Sequence, residues 1–232
     1  MLKDLPLEKR RVYLSVIFPA FFISILWIVK LIEVTENTRF SEFGVYPGTL
    51  RGLTGIFFSP LIHGDFNHLT DNSIPLFFLT WAMFYFYNKV SYRVFFITYF
   101  FPGIAVWLIG RQSYHIGSSG LIYGFGSFLF FSGIIRQNIN LLAISLLVTF
   151  LYGSMVWGIF PIQHEVSWES HLSGGLAGFL LSVLYRNIGP PPTIHQWEEE
   201  EKDDDDDNPP VENDELTGDE EIDDLPQQTT GK

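Results

Sequence analysis

The 232-residue chain contains no cysteine, which excludes disulfide bridges and thiolate chemistry. It contains no HExxH run, so the helical zinc-hydrolase pattern is missing as well. No internal duplication of the kind that builds many transporters can be traced along it. Acidic side chains are scarce over most of the length. Residues 1–186 hold 12 basic and 9 acidic groups, whereas residues 187–232 hold 2 basic and 17 acidic ones. The formal net charge of -12 therefore belongs to the C-terminal stretch. Its acidic runs, 198–201 and 203–207, lack the turn glycine and ligand spacing of a calcium loop, and almost nothing beside them is apolar. A disordered, solvated cytoplasmic tail is expected over residues 187–232.

What the chain has in quantity is apolar residues gathered in blocks of roughly 15 to 22, long enough for helices that cross a hydrocarbon core about 30 Å thick. The blocks predict six transmembrane helices, at residues 12–32, 68–88, 93–110, 119–135, 140–160 and 167–185. The first is too long for a signal-peptide core and no small-residue cleavage site follows it. Pro19 within it is expected to kink rather than end the helix. Residues 33–67 are too apolar for a plain solvated loop and fit an interfacial hairpin or short helices in the headgroup layer. With residues 1–11 as a cytoplasmic segment, the inner connections receive Lys3, Lys9, Arg10, Arg11, Lys89, Arg93, Arg136 and Arg186. The outer connections receive Arg39, Arg51 and Arg111, a bias that places both termini inside. The expected fold class is an all-α membrane protein: a six-helix domain over residues 12–186 with a long, partly membrane-embedded first loop.

Three of these helices descend in the same direction and can be levelled by counting from their inner basic flank. At 1.5 Å per residue, Ser119 lies roughly 25 Å above Arg136, Asn72 roughly 25 Å above Lys89 and His171 roughly 23 Å above Arg186. A hydroxyl, an amide and an imidazole thus share one level below the outer edge of the core. Gly120 and Gly124 form one small-xxx-small pair, Gly174 and Gly178 another, and such pairs let two helices approach closely in lipid. Close approach is what a serine-to-imidazole hydrogen bond requires. Residues 111–118 must dip into the membrane as irregular backbone, tolerated only against protein or a water-filled cavity. The chemistry this suggests is a Ser119–His171 dyad, with His171 taking and returning the proton. The Ser119 N–H, Asn72 and His68 would face the developing oxyanion. No acidic third member is in place, since Glu169 is two residues from His171 and faces elsewhere on a helix. His63 is expected to anchor the first loop, and Asp71 to cap the second helix. His115, His164 and His195 have no assigned task.

With those residues in view, the chain resembles the rhomboid family of intramembrane serine proteases. The resemblance rests on Gly117-Ser118-Ser119-Gly120 as a GxSG box, on His63, His68 and Asn72 entering the second helix, and on His171 followed by Gly174 and Gly178. It implies a catalytic pair of Ser119 and His171, an oxyanion and substrate-binding set of His68, Asn72 and Gly117, and Tyr123 packed on the His171 ring. It also implies transmembrane proteins as substrates, cut near helix-destabilising small residues. Access would be gated by residues 150–160 and 161–166. No metal, cofactor or nucleic acid enters this reading; the bilayer and its protein substrates are the partners. The six-helix form without a leader points to a bacterial inner membrane. The first loop lacks the Trp-Arg pair of many bacterial relatives, and Arg51 is its nearest basic candidate. A catalytically inactive relative that binds membrane clients, and a small transporter, are the alternatives.

Overall fold

A computed structural model describes residues 5–151, 158–162 and 166–193, all within one unit, Met1–Thr193. Most of the expected tail, with His195, and also His164 lie outside the described residues. Seven α-helices and no strand are found among the described residues: α1 (Leu7–Thr35), α2 (Leu50–Phe58), α3 (Phe66–Phe86), α4 (Ser91–Ile109), α5 (Ser119–Ile135), α6 (Ile139–Leu151) and α7 (Trp168–Leu184). The expected first loop contains α2 and two short 3-10 turns, Phe40–Phe43 and Ser59–Leu61. Helix α5 occupies the middle and packs against α3, α4, α6 and α7, while α1 leans on α3 and α2 on α4.

Helix ends follow local capping chemistry. Asp65, not Asp71, caps α3: its Oδ1 accepts the His68 N–H at 2.8 Å, so the helix begins two residues before the expected start. Thr49 caps α2 by accepting from the Gly52 N–H at 3.1 Å. The expected helix over 140–160 is shorter than predicted, because Gly158–Ile162 is turn rather than helix. Gly158 and Pro161 are both poor helix residues, and an apolar run alone could not show where the helix stops. Pro19 sits inside α1, which continues past it.

Two of the helices, Leu7–Thr35 and Ser91–Ile109, are long and apolar enough by themselves to cross a membrane. The interior holds a hydrophobic core, as in a water-soluble bundle, but the outer surface is apolar as well. Large apolar side chains face outward along the helices (Phe21, Leu108 and Leu180 among them), while Ser15, Thr80, Thr98, Ser132, Ser145 and Ser182 are buried. Several of these hydroxyls bond back to a carbonyl of their own helix, but two indoles tie α1 to α3, Trp27 Nε1 to Ser73 Oγ at 3.1 Å and Trp81 Nε1 to Ser15 Oγ at 3.0 Å. A surface this apolar needs a cover other than water.

Two features hold the region of the polar residues. Lys30, buried near the end of α1, pairs with Glu33 at 2.7 Å and donates to the His63 and Gly64 carbonyls at 3.1 and 2.9 Å. This ties α1 to the turn that leads into α3. Helices α5 and α7 meet backbone to backbone. A Cβ added at Gly174 would land on the Gly120 carbonyl, and one at Gly178 on the Gly124 carbonyl. On the opposite side, Arg136 donates to the Arg186, Gly189 and Pro190 carbonyls, and Thr193 N–H reaches Gln137. Residues 187–193 therefore lie along the α5–α6 turn.

Candidate active site

Ser119 is the first residue of α5 and His171 lies in the first turn of α7. The glycine contacts bring these two helix starts together, and Ser119 Oγ lies 2.6 Å from His171 Nε2. The other ring nitrogen, Nδ1, is 2.8 Å from the Gly158 carbonyl oxygen. A carbonyl can only accept, so Nδ1 carries the hydrogen and Nε2 presents its lone pair to the serine hydroxyl. The ring is thereby in the tautomer a general base needs, oriented by main chain instead of a carboxylate. Tyr123, one turn into α5, stacks on the imidazole with centroids 4.2 Å apart and planes 16° from parallel.

Opposite the pair, α3 brings His68 and Asn72 against the loop before α5. Gly117 has φ +106°, a conformation open to glycine, and a Cβ there would sit 3.0 Å from His68 Nε2 and 3.9 Å from Asn72 Nδ2. The Gly64 N–H points at His68 Nδ1 at 3.4 Å, which leaves Nε2 as the protonated nitrogen facing Gly117. Asn72 Nδ2 spends one N–H on the His68 carbonyl at 3.0 Å and keeps a second. The N–H groups of a helix's first residues have no intrahelical acceptor, so Ser119 contributes a third donor direction. A hydroxyl, an imidazole and N–H donors thus converge from α3, α5 and α7, an arrangement chemically suited to acyl transfer to a serine.

The family model described as Rhomboid domain matches residues 50–188, more than half of the chain and all of this constellation. The chain belongs to the rhomboid family. Relatives include an uncharacterized protein of Mycobacterium tuberculosis, 34% identical over 172 residues, covering 70% of this chain and 72% of the relative. An uncharacterized protein of Mycobacterium leprae is 31% identical over 173 residues, covering 70% and 68%. Rhomboid domains are membrane-embedded and are typically serine intramembrane proteases.

In this rhomboid domain His63 is buried behind the loop that leads into α5. Its Nε2 accepts the Ser118 N–H at 3.4 Å and lies 3.2 Å from the Ser118 hydroxyl. Burial first, then the neighbouring His68, pushes the His63 pKa from 6.5 down to about 3. The folded protein keeps this ring neutral while the unfolded chain protonates it below 6.5. Its contribution to stability is therefore complete above pH 6.5 and is lost as pH falls towards 3, at most about 1.4 kcal/mol per pH unit. The thermal midpoint in detergent should fall between pH 7 and 4.5, and fall less steeply in His63→Gln, whose amide oxygen can still accept from Ser118. Parallel curves for the two proteins would contradict this assignment.

Several contacts around the site had no signal in the sequence. The Gly158 carbonyl is one, because every residue has a carbonyl. His115, expected to be idle, is buried between Ser167 Oγ at 2.6 Å and the Arg111 carbonyl at 3.0 Å. Glu169 Oε1 accepts the Arg111 N–H at 3.2 Å. Arg51 in the first loop pairs with Glu42 at 2.8 Å on the surface. Behind the nucleophile loop, Ser59, Tyr99, His115, Gly120 and Ser170 line a cavity of about 20 Å³, room for roughly one water.

Proposed function

We propose that the chain is a six-span intramembrane serine endopeptidase that hydrolyses a peptide bond in a transmembrane segment of another membrane protein. The spans are α1, α3, α4, α5, α6 and α7, with α2 in a first loop partly sunk in the outer leaflet. Both termini face the cytoplasm of a bacterial cell, as the bias of basic residues favours. The observation that carries the reading is the 2.6 Å Ser119–His171 contact with His171 Nδ1 turned to a carbonyl.

In the first half-reaction His171 Nε2 takes the Ser119 proton as Oγ attacks the scissile carbonyl carbon. The carbonyl electrons move to oxygen, which the Ser119 N–H, His68 Nε2–H and Asn72 Nδ2–H stabilise. Collapse expels the amine, which receives the proton from His171, and leaves an ester on Ser119. Water then attacks that ester with His171 again as base, releasing the acid and restoring the hydroxyl. An apolar groove of about 460 Å³ between α3 and α6, lined by Ile74, Phe78, Ala82, Ile144, Leu147 and Val148, suits lateral entry of an apolar helix. The turn at residues 158–162, whose Gly158 carbonyl lies 2.8 Å from His171 Nδ1, would then have to move as the client reaches the dyad.

The test is labelling by a serine-reactive phosphonate, together with cleavage of a transmembrane substrate in proteoliposomes. Labelling confined to Ser119 and cleavage of the substrate are the expected results. A client-binding relative without activity, or a transporter, would do neither. Asn72→Ala should lower kcat by about 10²–10³ with little change in KM, since it removes a donor used in the transition state. A rise in KM at constant kcat would instead make Asn72 a ground-state binding residue.

A further inference from the structure

Helix packing through glycines fixes how far apart α5 and α7 lie, but two smooth faces can still slide along each other. A 2.6 Å contact between side chains at the two helix starts also requires that their heights agree. The polar contacts around residues 111–118 supply that second constraint. Arg111 N–H donates to Glu169 Oε1 at 3.2 Å, and Arg111 Nη2 donates to the Val166 carbonyl at 2.5 Å. His115 Nδ1 lies 2.6 Å from the Ser167 hydroxyl, and its Nε2 lies 3.0 Å from the Arg111 carbonyl. A neutral ring satisfies both, with Nε2–H donating and Nδ1 accepting. Val166, Ser167 and Glu169 flank the start of α7, within five residues of His171. On its other side the same loop is pinned to the first loop, by paired main-chain bonds between His115 and Val45 at 2.9 and 3.0 Å and by Gly117 N–H to Ser59 at 2.8 Å.

Glu169 marks this arrangement as more than packing. Its side chain is only 5% exposed, and among the described residues Oε2 has no hydrogen-bond partner. The guanidinium of Arg111 stands 3.8 Å from Oε1. A carboxylate held at such a place is costly unless its charge is used.

We propose that Arg111, Glu169, His115 and Ser167 form a latch that sets the axial register of the nucleophile against the base, making Glu169 and Arg111 positioning residues for the dyad. The proposal rests on the protease reading for its effect on turnover, and on geometry alone for its effect on shape. Breaking the latch lets α5 and α7 shift without separating, and a misplacement near 1 Å costs about 10²-fold in rate.

Two readouts on the full chain in lipid test it. Glu169→Ala and Arg111→Ala should lower kcat by about 10²-fold per folded molecule with KM within about twofold, and slow phosphonate labelling in parallel. Glu169→Gln keeps an acceptor for the Arg111 N–H and should recover about tenfold of the loss. The absence of native cysteine allows spin labels to be placed specifically at Gln112→Cys and Leu172→Cys, both exposed positions on the two joined segments. Their distance distribution should be narrow in the parent and broaden with Glu169→Ala. If that variant does not fold, Ser167→Ala breaks the His115 link alone and should broaden the distribution to a smaller extent. An unchanged distribution, or losses that merely follow the folded fraction, would overturn the latch. A parent protein that neither cleaves nor labels would overturn the protease reading instead, leaving the distance measurement to decide the latch.

Discussion

Replacing Ser119 by alanine should reduce cleavage of a transmembrane substrate by on the order of 10⁴-fold or more, and His171→Ala should do the same. The two side chains share one proton across a 2.6 Å contact, so neither works without the other. The double variant is accordingly expected to be no worse than either single one, the non-additivity that marks residues acting as a unit. Folding should survive Ser119→Ala, because the residue begins a helix and is partly exposed. Matching thermal midpoints with lost turnover is the result to look for. Turnover retained by either variant removes the dyad from the mechanism. Additive losses would mean that the hydroxyl and the imidazole act in separate steps.

The second large effect is structural. Gly174→Val or Gly178→Val should destabilise the protein by at least about 3 kcal/mol, because the added carbons meet main-chain carbonyls of α5 that cannot rotate away. Helices α5 and α7 would have to part, and the Ser119–His171 contact would open with them. Gly175→Ala is the internal control. It lies one residue along the same helix, a Cβ there meets nothing within 4 Å, and the change should be neutral or stabilising by up to about 1 kcal/mol. Thermal unfolding of the three variants in detergent, with activity measured below the transition, checks both statements. Equal midpoints for Gly174→Val and Gly175→Ala would show that the α5–α7 contact is looser than its geometry.

The sequence carries much of the bundle because the apolar blocks are long and the basic residues between them are few. Helix α5 begins and ends where the apolar run does, at Ser119 and Ile135. Counting residues along a helix of constant rise predicts one level for Ser119, Asn72 and His171; Ser119 and His171 lie 2.6 Å apart, and Asn72 lies near Gly117. Boundaries shifted where a single side chain decides them, as with Asp65 at the start of α3, and where an expected helix runs into a described turn, as at residues 158–162. The latch was hidden for a different reason. Arg111 and Glu169 are 58 residues apart, neither belongs to a motif, and their pairing exists only once α5 and α7 are side by side. The partner of Glu169, the Arg111 N–H, is set by tertiary structure and not by its spacing from His171.

Gly158 supplies the atom that aims the base, and that atom is a main-chain oxygen. Such an acceptor has no proton to lose, so acid or alkali cannot switch it off, and no exchange of side chain deletes it. It also brings no negative charge to balance the imidazolium that the proposed mechanism would form. Only a change in the path of the polypeptide at that turn can withdraw it. Aim of the ring is thereby made a property of loop shape, and on the protease reading any lifting of the turn to admit a client would disarm His171 until the turn settled again.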